Sequence, residues 1–328
     1  MIKLYIISTP YHLLITLTKT LLAKRIGKDI IIIYNFHIPP TIIKNTGKIF
    51  SKVYTCGRFN ILTELPLLFF KINRIPILSK IKSSKYREDF FRNKEIFIFN
   101  DNSYFGCMFN HLGIEYNLIE DGLNLYQNEF ILHKYCHKIY KIIGISWDCF
   151  GRSKYAKSIE VNDSKNLYIS HTKIIESNRN EIFKKLNEKD VDIICDIFGY
   201  TPLSSTPKGE SSLLLTQPLS EDGEVSHSKK IEIYKYLVKK YAVGTLYIKA
   251  HPRENEDYKK VFPNAIILGN NKLPFEIFLL KEKLHFARAI STYTSVMDAI
   301  SCADEKISMG IEWVKAFQTT SFNRKDHE

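Results

Sequence analysis

The feature that most constrains this chain is an alternation of short apolar runs with stretches of helical periodicity. LYIIS (4–8), DIIIIYNF (29–36), KVYTC (52–56), EIFIFND (95–101) and EYNLIED (115–121) read as strands. The run at 29–36 is apolar without a break, so it predicts a strand buried on both faces. Between the first two lies PYHLLITLTKTLLAKR (10–25), with apolar residues at helical spacing. Thr9 is placed to cap that helix and Pro10 to occupy its first position. Alternation of this kind predicts a parallel sheet with helices on its faces, an α/β fold.

A second alternating block begins at Ser211. SSLLLTQP, TLYIKAHP (245–252), NAIILG (264–269) and FARAIST (286–292) read as strands. SKKIEIYKYLVKKYA (228–242), LPFEIFLLKE (273–282) and TSVMDAISCA (294–303) read as helices between or after them. The stretch 123–210 is more charged and less periodic, and its segment 178–199 reads as one helix. TPLSSTPKGES (201–211) is the best linker. Two doubly wound, Rossmann-like domains follow, 1–205 and 206–328, expected to face a central cleft. No repeat or low-complexity tract interrupts them.

With 328 residues and 45% apolar content, the chain can bury two ordinary cores and is not disordered. Lys and Arg outnumber Asp and Glu by 47 to 35, a net charge of +12. That excess favours an anionic partner: nucleic acid, an acidic membrane surface, or phosphate and carboxylate substrates. No zinc-finger spacing or RNA-type aromatic signature supports nucleic acid. The six cysteines (56, 107, 136, 149, 195, 302) are scattered and predict reduced thiols, as in a cytoplasmic protein. The apolar start breaks at Pro10, too early for a secretory signal. No apolar run is long enough to span a bilayer. Residues 61–81 come closest, interrupted by Glu64, Pro66, Lys71, Arg74 and Pro76. They read first as a core helix pair and second as a basic, apolar patch on a membrane.

Four polar clusters fall at strand ends, where open α/β sheets bind ligands. STPYH (8–12) offers the backbone N–H groups of a helix start. In IEDG (119–122), Glu120 or Asp121 can act as a base, with Gly122 letting the backbone approach a ligand; a polar Asp-Gly turn explains the same residues. TQPLSEDG (216–223) brings Gln217 and Asp222, again in a turn-like setting. In KAHP, Pro252 restrains His251 toward extended geometry and so gives its imidazole a direction. Ser291, Thr292, Thr294 and Ser295 crowd one strand-to-helix turn, more hydroxyls than a simple cap requires. An imidazolium at His251 can balance a phosphate there and donate a proton to it. No DxD, HExxH or Cys/His cluster has metal-ligand spacing.

Taken in order, TPYHLLI, the acid pair before Gly122, QPLSEDG, KAHPRE, LPFE and STYTS resemble bacterial GT-B sialyltransferases. They are most similar to glycosyltransferase family 52, the lipooligosaccharide and capsule group. The resemblance implies a GT-B fold and inverting transfer of sialic acid from CMP-sialic acid to a galactose-type hydroxyl of a surface glycan. It implies no divalent metal and no further cofactor. By the same resemblance His251 is the general acid toward CMP and Pro252 fixes it. Lys249 lies near the cytosine, Glu276 binds the ribose, and Thr294 and Ser295 bind the phosphate. Asp121 is the base, or Asp222 in its place.

Such a protein would work in the cytoplasm, with peripheral association with an anionic inner membrane and a homodimer as further partners. Three rivals stand beside it: a GT-B enzyme using a nucleoside diphosphate sugar, a non-enzymatic two-lobed binding protein, and a peripheral membrane or nucleic-acid binder.

Overall fold

Isoleucine-rich strands set the architecture. β1 (Ile2–Ile7), β2 (Ile30–Tyr34), β3 (Lys52–Cys56), β4 (Lys94–Ile98), β5 (Tyr116–Ile119), β6 (Ala156–Val161) and β7 (Ile174–Glu176) form one sheet in the order β3-β2-β1-β4-β5-β6-β7. Every pairing is parallel. Successive residues on β1 and β2 are buried on opposite faces, so the sheet is covered on both sides. A second parallel sheet has the order β10-β9-β8-β11-β12. Its strands are β8 (Ser211–Leu215), β9 (Thr245–Lys249), β10 (Ile266–Ile267), β11 (Phe286–Ser291) and β12 (Ala303–Ser308). The computed structural model describes residues 1–34, 38–56, 90–126, 149–165, 173–203 and 210–319 except Ser295, together with 167, 169, 206 and 207. The apolar segment 61–81 and Cys136 lie outside them. The chain divides into two compact units, Met1–Ile197 and Phe198–Glu328.

Helix α1 (Pro10–Leu22) starts as its sequence dictates. The Thr9 side chain accepts the His12 backbone N–H at 3.1 Å, and Pro10 sits in the first turn. The helix stops short of residue 25 because Lys24 turns into the left-handed region, at φ 53°. Arg25 then forks onto the buried Asp29, whose carboxylate also accepts the Lys3 N–H. Glu160 of β6 ties the unit together. It takes Lys19 of α1 at 2.5 Å and Arg179 at 2.8 Å, and these two cations hold its carboxyl below the usual range against the upward push of burial.

The segment 178–199 is two helices, Arg179–Lys184 and Glu188–Phe198, not one. Asn187 breaks it: its side chain accepts the Asp190 N–H, and Asp190 accepts the Asn187 N–H in return. The helix expected over 294–303 is only Val296–Ala299. The chain then enters β12, because the outer edge of β11 is completed there through a parallel register from Phe286 to Ser291. β12 is mostly exposed and charged, an edge strand whose polarity hides it in the sequence. The five described cysteines are buried thiols without a disulfide.

Gly106 lets the helix Tyr104–Leu112 start directly against the end of β4. A Cβ there would stand 2.0 Å from the Asp101 carbonyl oxygen. We predict that Gly106→Ala destabilises the fold by about 1–3 kcal/mol, the scale of overpacking a rigid site. Urea unfolding measures it, and an unchanged midpoint would show that the Asp101 backbone is free to give way.

Candidate functional site

In each sheet the strand order reverses beside the first strand, at β1/β4 and at β8/β11. Ligands of open α/β sheets lie outside the carboxyl ends of the strands at such a point. The polar clusters follow these strands and their immediate neighbours β5 and β9, one group in each unit.

In the first unit Asp121 follows β5, and its side chain is 33% exposed. His12, in the first turn of α1, is buried and puts Nε2 3.0 Å from Asp121 Oδ1. Nε2 makes no formed hydrogen bond, and the contact with Asp121 is electrostatic. The ring plane is fixed twice. It stacks on Phe99 at 4.4 Å and 11°, and Nδ1 accepts the Ser8 N–H at 3.3 Å. The neutral ring therefore carries its proton on Nε2. Burial pushes the Asp121 carboxyl up, and the adjacent His12 outweighs it, leaving the net shift downward. Asp121 shares a small cavity with Phe99, Asp101, Leu125 and Phe150. Asp101 is wholly buried and accepts from Phe150 N–H, Gly151 N–H and Tyr116 O–H at 2.6–3.1 Å. Burial outweighs those donors and pushes its carboxyl up to about 6.

Glu120 points elsewhere. Its Oε2 accepts Tyr126 O–H at 2.7 Å and Asn162 N–H at 2.5 Å, a tie between the loops after β5 and β6. Adjacent residues of an extended chain face opposite ways, so only one of the acid pair can line the cavity. Gly122 takes φ 67° and opens a 3-10 turn over Gly122–Tyr126, and a Cβ on it would meet nothing within 4 Å. Its conformation, not a close approach within the chain, explains the glycine.

In the second unit His251 lies two residues past β9. Its backbone N–H donates to Glu254 Oε2 at 2.9 Å and Thr216 Oγ1 at 3.2 Å, and its Nδ1 accepts the Arg253 N–H. Nε2 is again the proton-bearing nitrogen of the neutral ring. Burial, then the charges of Arg253 and Lys249, push the imidazole down to about 4. Glu254 is the anchor of this corner. Fully buried, it also accepts Tyr258 O–H at 2.6 Å and Thr216 O–H, and it faces Lys230 at 3.5 Å. Lys230, itself buried, reaches Glu221 at 2.9 Å. The Pro252 carbonyl accepts from Lys272 Nζ.

Lys249 is buried, donates to the Ala250 and Asn271 carbonyls, and is pushed down to about 8 by burial. Glu276, in the first turn of helix Phe275–Lys281, is pushed up by burial, with Lys249 opposing. Asp222 is paired with Arg253, with Nη2 to Oδ2 at 2.8 Å. Gln217 is held by its own backbone through Tyr234, at 2.6 and 3.0 Å, and donates its Nε2 to the Thr216 carbonyl. The hydroxyls of the last cluster divide. Ser291 ties β11 to the Leu215 carbonyl at 2.9 Å, Thr292 is buried, and Thr294 accepts the Val296 N–H. Ser295 is outside the described residues. Among those residues no group of His, Cys, Asp or Glu converges as metal ligands, and no helix is long and apolar enough to cross a membrane.

His12 and Glu254 escape a reading of the sequence. Both lie inside quoted motifs, STPYH and KAHPRE, but their partners, Asp121 and Thr216, are distant in the chain.

Residues 44–313 match Glycosyltransferase family 52, and the chain belongs to that family of glycosyltransferases. An uncharacterized protein of Haemophilus influenzae is 31% identical over 192 residues, 58% of this chain and 60% of that protein. The chain thus spans about 60% of the length of the curated relative it matches. Among solved structures it is similar to an alpha/beta-galactoside alpha-2,3-sialyltransferase of Photobacterium phosphoreum. The TM-score is 0.58 at 14% identity, covering 94% of this chain and 90% of the other. A sialyltransferase of Photobacterium damsela gives 0.52 at 13%, covering 94% and 74%. These likenesses show the GT-B fold.

We predict that the His251 ring titrates near pH 4 by NMR instead of 6.5. Because its folded value is depressed, it contributes stability above about 6.5 that is lost as pH falls toward 4. Arg253→Ala should move the midpoint upward. A midpoint near 6.5 in the native protein refutes the burial of this ring.

Proposed function

We propose that the protein is an inverting sialyltransferase that moves sialic acid from CMP-sialic acid to a galactose-type hydroxyl of a surface glycan, without a divalent metal. Family membership supports transfer of a sugar, and the fold shared with two sialyltransferases supports the donor class. The observation that carries the reading is the His251 corner, an imidazole whose backbone and Nδ1 are both fixed and whose Nε2 holds the proton.

The step needs little else. The bond from the anomeric carbon to the phosphate oxygen breaks, and the acceptor oxygen bonds to that carbon from the opposite side. Protonated His251 gives its proton to the departing CMP phosphate. The acceptor hydroxyl gives its own to Asp121. The anomeric carbon is tertiary and ionises readily, so one acid and a few O–H or N–H donors suffice for the leaving group. The His251 ring is neutral at neutral pH in the free protein, so it takes up a second ring proton as the anionic nucleotide binds. Lys249, Glu276, Thr294 and Ser295 hold the nucleotide in this reading. Asp121 is preferred to Asp222 because it lines a cavity, whereas Asp222 is occupied by Arg253. Cytoplasmic placement, peripheral membrane contact and a homodimer belong to the same proposal.

The test uses CMP-sialic acid with galactose-terminated acceptors, with and without EDTA. Release of CMP that survives EDTA is expected. Release of UDP or GDP from a nucleoside diphosphate sugar instead, or loss of activity restored by manganese, would overturn the reading. His251→Ala is expected to slow transfer by roughly 100-fold or more. Asp121→Asn should lose transfer and keep CMP binding. Normal transfer by Asp121→Asn alongside an inactive Asp222→Asn would move the base to the second unit.

A further inference from the structure

We propose that Glu254 is the positioning residue for His251: its buried carboxylate holds the backbone of the KAHP corner and so fixes where the imidazole stands. This rests on the reading of His251 as the acid.

The turn closes on itself. The His251 N–H donates to Glu254 Oε2 at 2.9 Å, and the Glu254 N–H donates back to the His251 carbonyl at 3.1 Å. Between these two ties the Arg253 N–H reaches Nδ1 of the ring. A side chain that holds this turn therefore also holds the tautomer and the direction of Nε2. Pro252 biases His251 toward extended backbone but does not set where the corner stands in the unit.

The two carboxylate oxygens divide their work. Oε2 faces the corner and takes the His251 N–H and the Thr216 hydroxyl, and Thr216 Oγ1 shares the same His251 N–H at 3.2 Å. Thr216 directly follows β8, so the loops after β8 and β9 meet at this oxygen. Oε1 faces two helices. It accepts Tyr258 O–H at 2.6 Å from Tyr258–Val261 and stands 3.5 Å from Lys230 Nζ of His227–Tyr241. The Glu254 carbonyl accepts Asn271 Nδ2 at 2.5 Å. Glu254 and Lys230 are both fully buried. Desolvating such a pair is costly, and apolar residues of similar volume often serve a fold as well. An apolar side chain cannot accept the His251 N–H.

The surrounding charges act elsewhere. Arg253, Lys249 and Lys272 lower the imidazole, and Glu221 opposes them. Lys230 is shared with Glu221 at 2.9 Å and Glu256 at 4.0 Å, and Glu256 also meets His227 at 2.5 Å. Burial pushes the Glu254 carboxyl up against its donors and Lys230, and the phenols of Tyr234 and Tyr258 are pushed up by burial and by Glu254. Glu254 works on His251 through the backbone it grips.

The experiment compares three variants. Glu254→Met keeps the volume and removes both acceptors. Glu254→Asp keeps the charge and loses the reach. Glu254→Gln keeps an acceptor for the His251 N–H and turns its NH2 to the Tyr258 hydroxyl, which can accept. Nitrogen-15 NMR of labelled histidine reads the tautomer and midpoint of His251, and transfer from CMP-sialic acid is followed in parallel. In Glu254→Met the Nε2–H tautomer should lose its dominance, and the midpoint should rise from about 4 toward 6.5 as the ring gains solvent. kcat should fall about 10-fold or more with CMP affinity nearly unchanged. A ring that protonates more easily yet transfers more slowly has lost its position, not its proton. Glu254→Gln should recover much of both readouts, and Glu254→Asp should not. Added to His251→Ala, Glu254→Met should cost nothing further, because the two act as one unit. If Glu254→Met does not fold, Glu254→Asp decides in its place. An unmoved ring in the folded variant overturns the proposal, as does Glu254→Gln behaving like Glu254→Met. If His251→Ala transfers normally, the acid assignment has failed, and the ring NMR still decides whether Glu254 holds that imidazole.

Discussion

Parallel strands covered on both faces leave one outlet for polar chemistry, the carboxyl ends. Everything the two units can do follows from that. β1, β2 and β8 bury their residues almost completely, so an ionisable group within them would have to be desolvated. Several candidate ionisable groups lie two to five residues beyond the strands: His12 and Asp101 after β1 and β4, Asp121 after β5, His251 and Glu254 after β9. Reversal of strand order at β1/β4 and β8/β11 parts the adjoining helices and leaves room there.

Buried and partly buried carboxylates differ in their surroundings, and their neighbours decide which way each is pushed. Asp101 receives neutral donors and Glu254 neutral donors together with Lys230, and burial still wins, so both carboxyls are pushed up. They work as anchors. Asp101 pins the backbone at Phe150 and Gly151, and Glu254 pins the backbone of His251. Asp121 also feels burial first, but a single histidine reverses the sign. Asp101 and Glu254 have their oxygens occupied by donors, whereas Asp121 retains solvent access. The direction in which a buried carboxyl is pushed thus lies in the number and kind of its neighbours, not in depth alone.

Elements with local signals were legible in the sequence. The Thr9–Pro10 start of α1, the isoleucine strands and the helix at 227–241 all carry their periodicity and caps within a dozen residues. β6, β7 and β12 were not legible. Their pairing is dictated by the neighbouring strand, and β7 and β12 are exposed and polar. The break at Asn187 was available as a capping box but is masked by helix formers on both sides. The site shows the same division. The positions of Asp121 and His251 at strand ends follow from sequence order. His12 against Asp121, and Glu254 against Thr216 and Lys230, are contacts across the fold that no spacing encodes.

The basic excess of the chain acquires a local meaning at His251. Arg253, Lys249 and Lys272 all bear on the imidazole and, with burial, keep it unprotonated. The charges that disfavour a proton there are those that would favour an anion. An anion in turn offsets their repulsion and restores the proton. Linkage makes the two effects reciprocal: a ligand that raises the affinity of His251 for a proton must bind more tightly to the protonated form by the same factor. A neutral ligand gains nothing from this arrangement. The corner is therefore suited to an anionic ligand, and its imidazole gains a proton more readily when such a ligand is present.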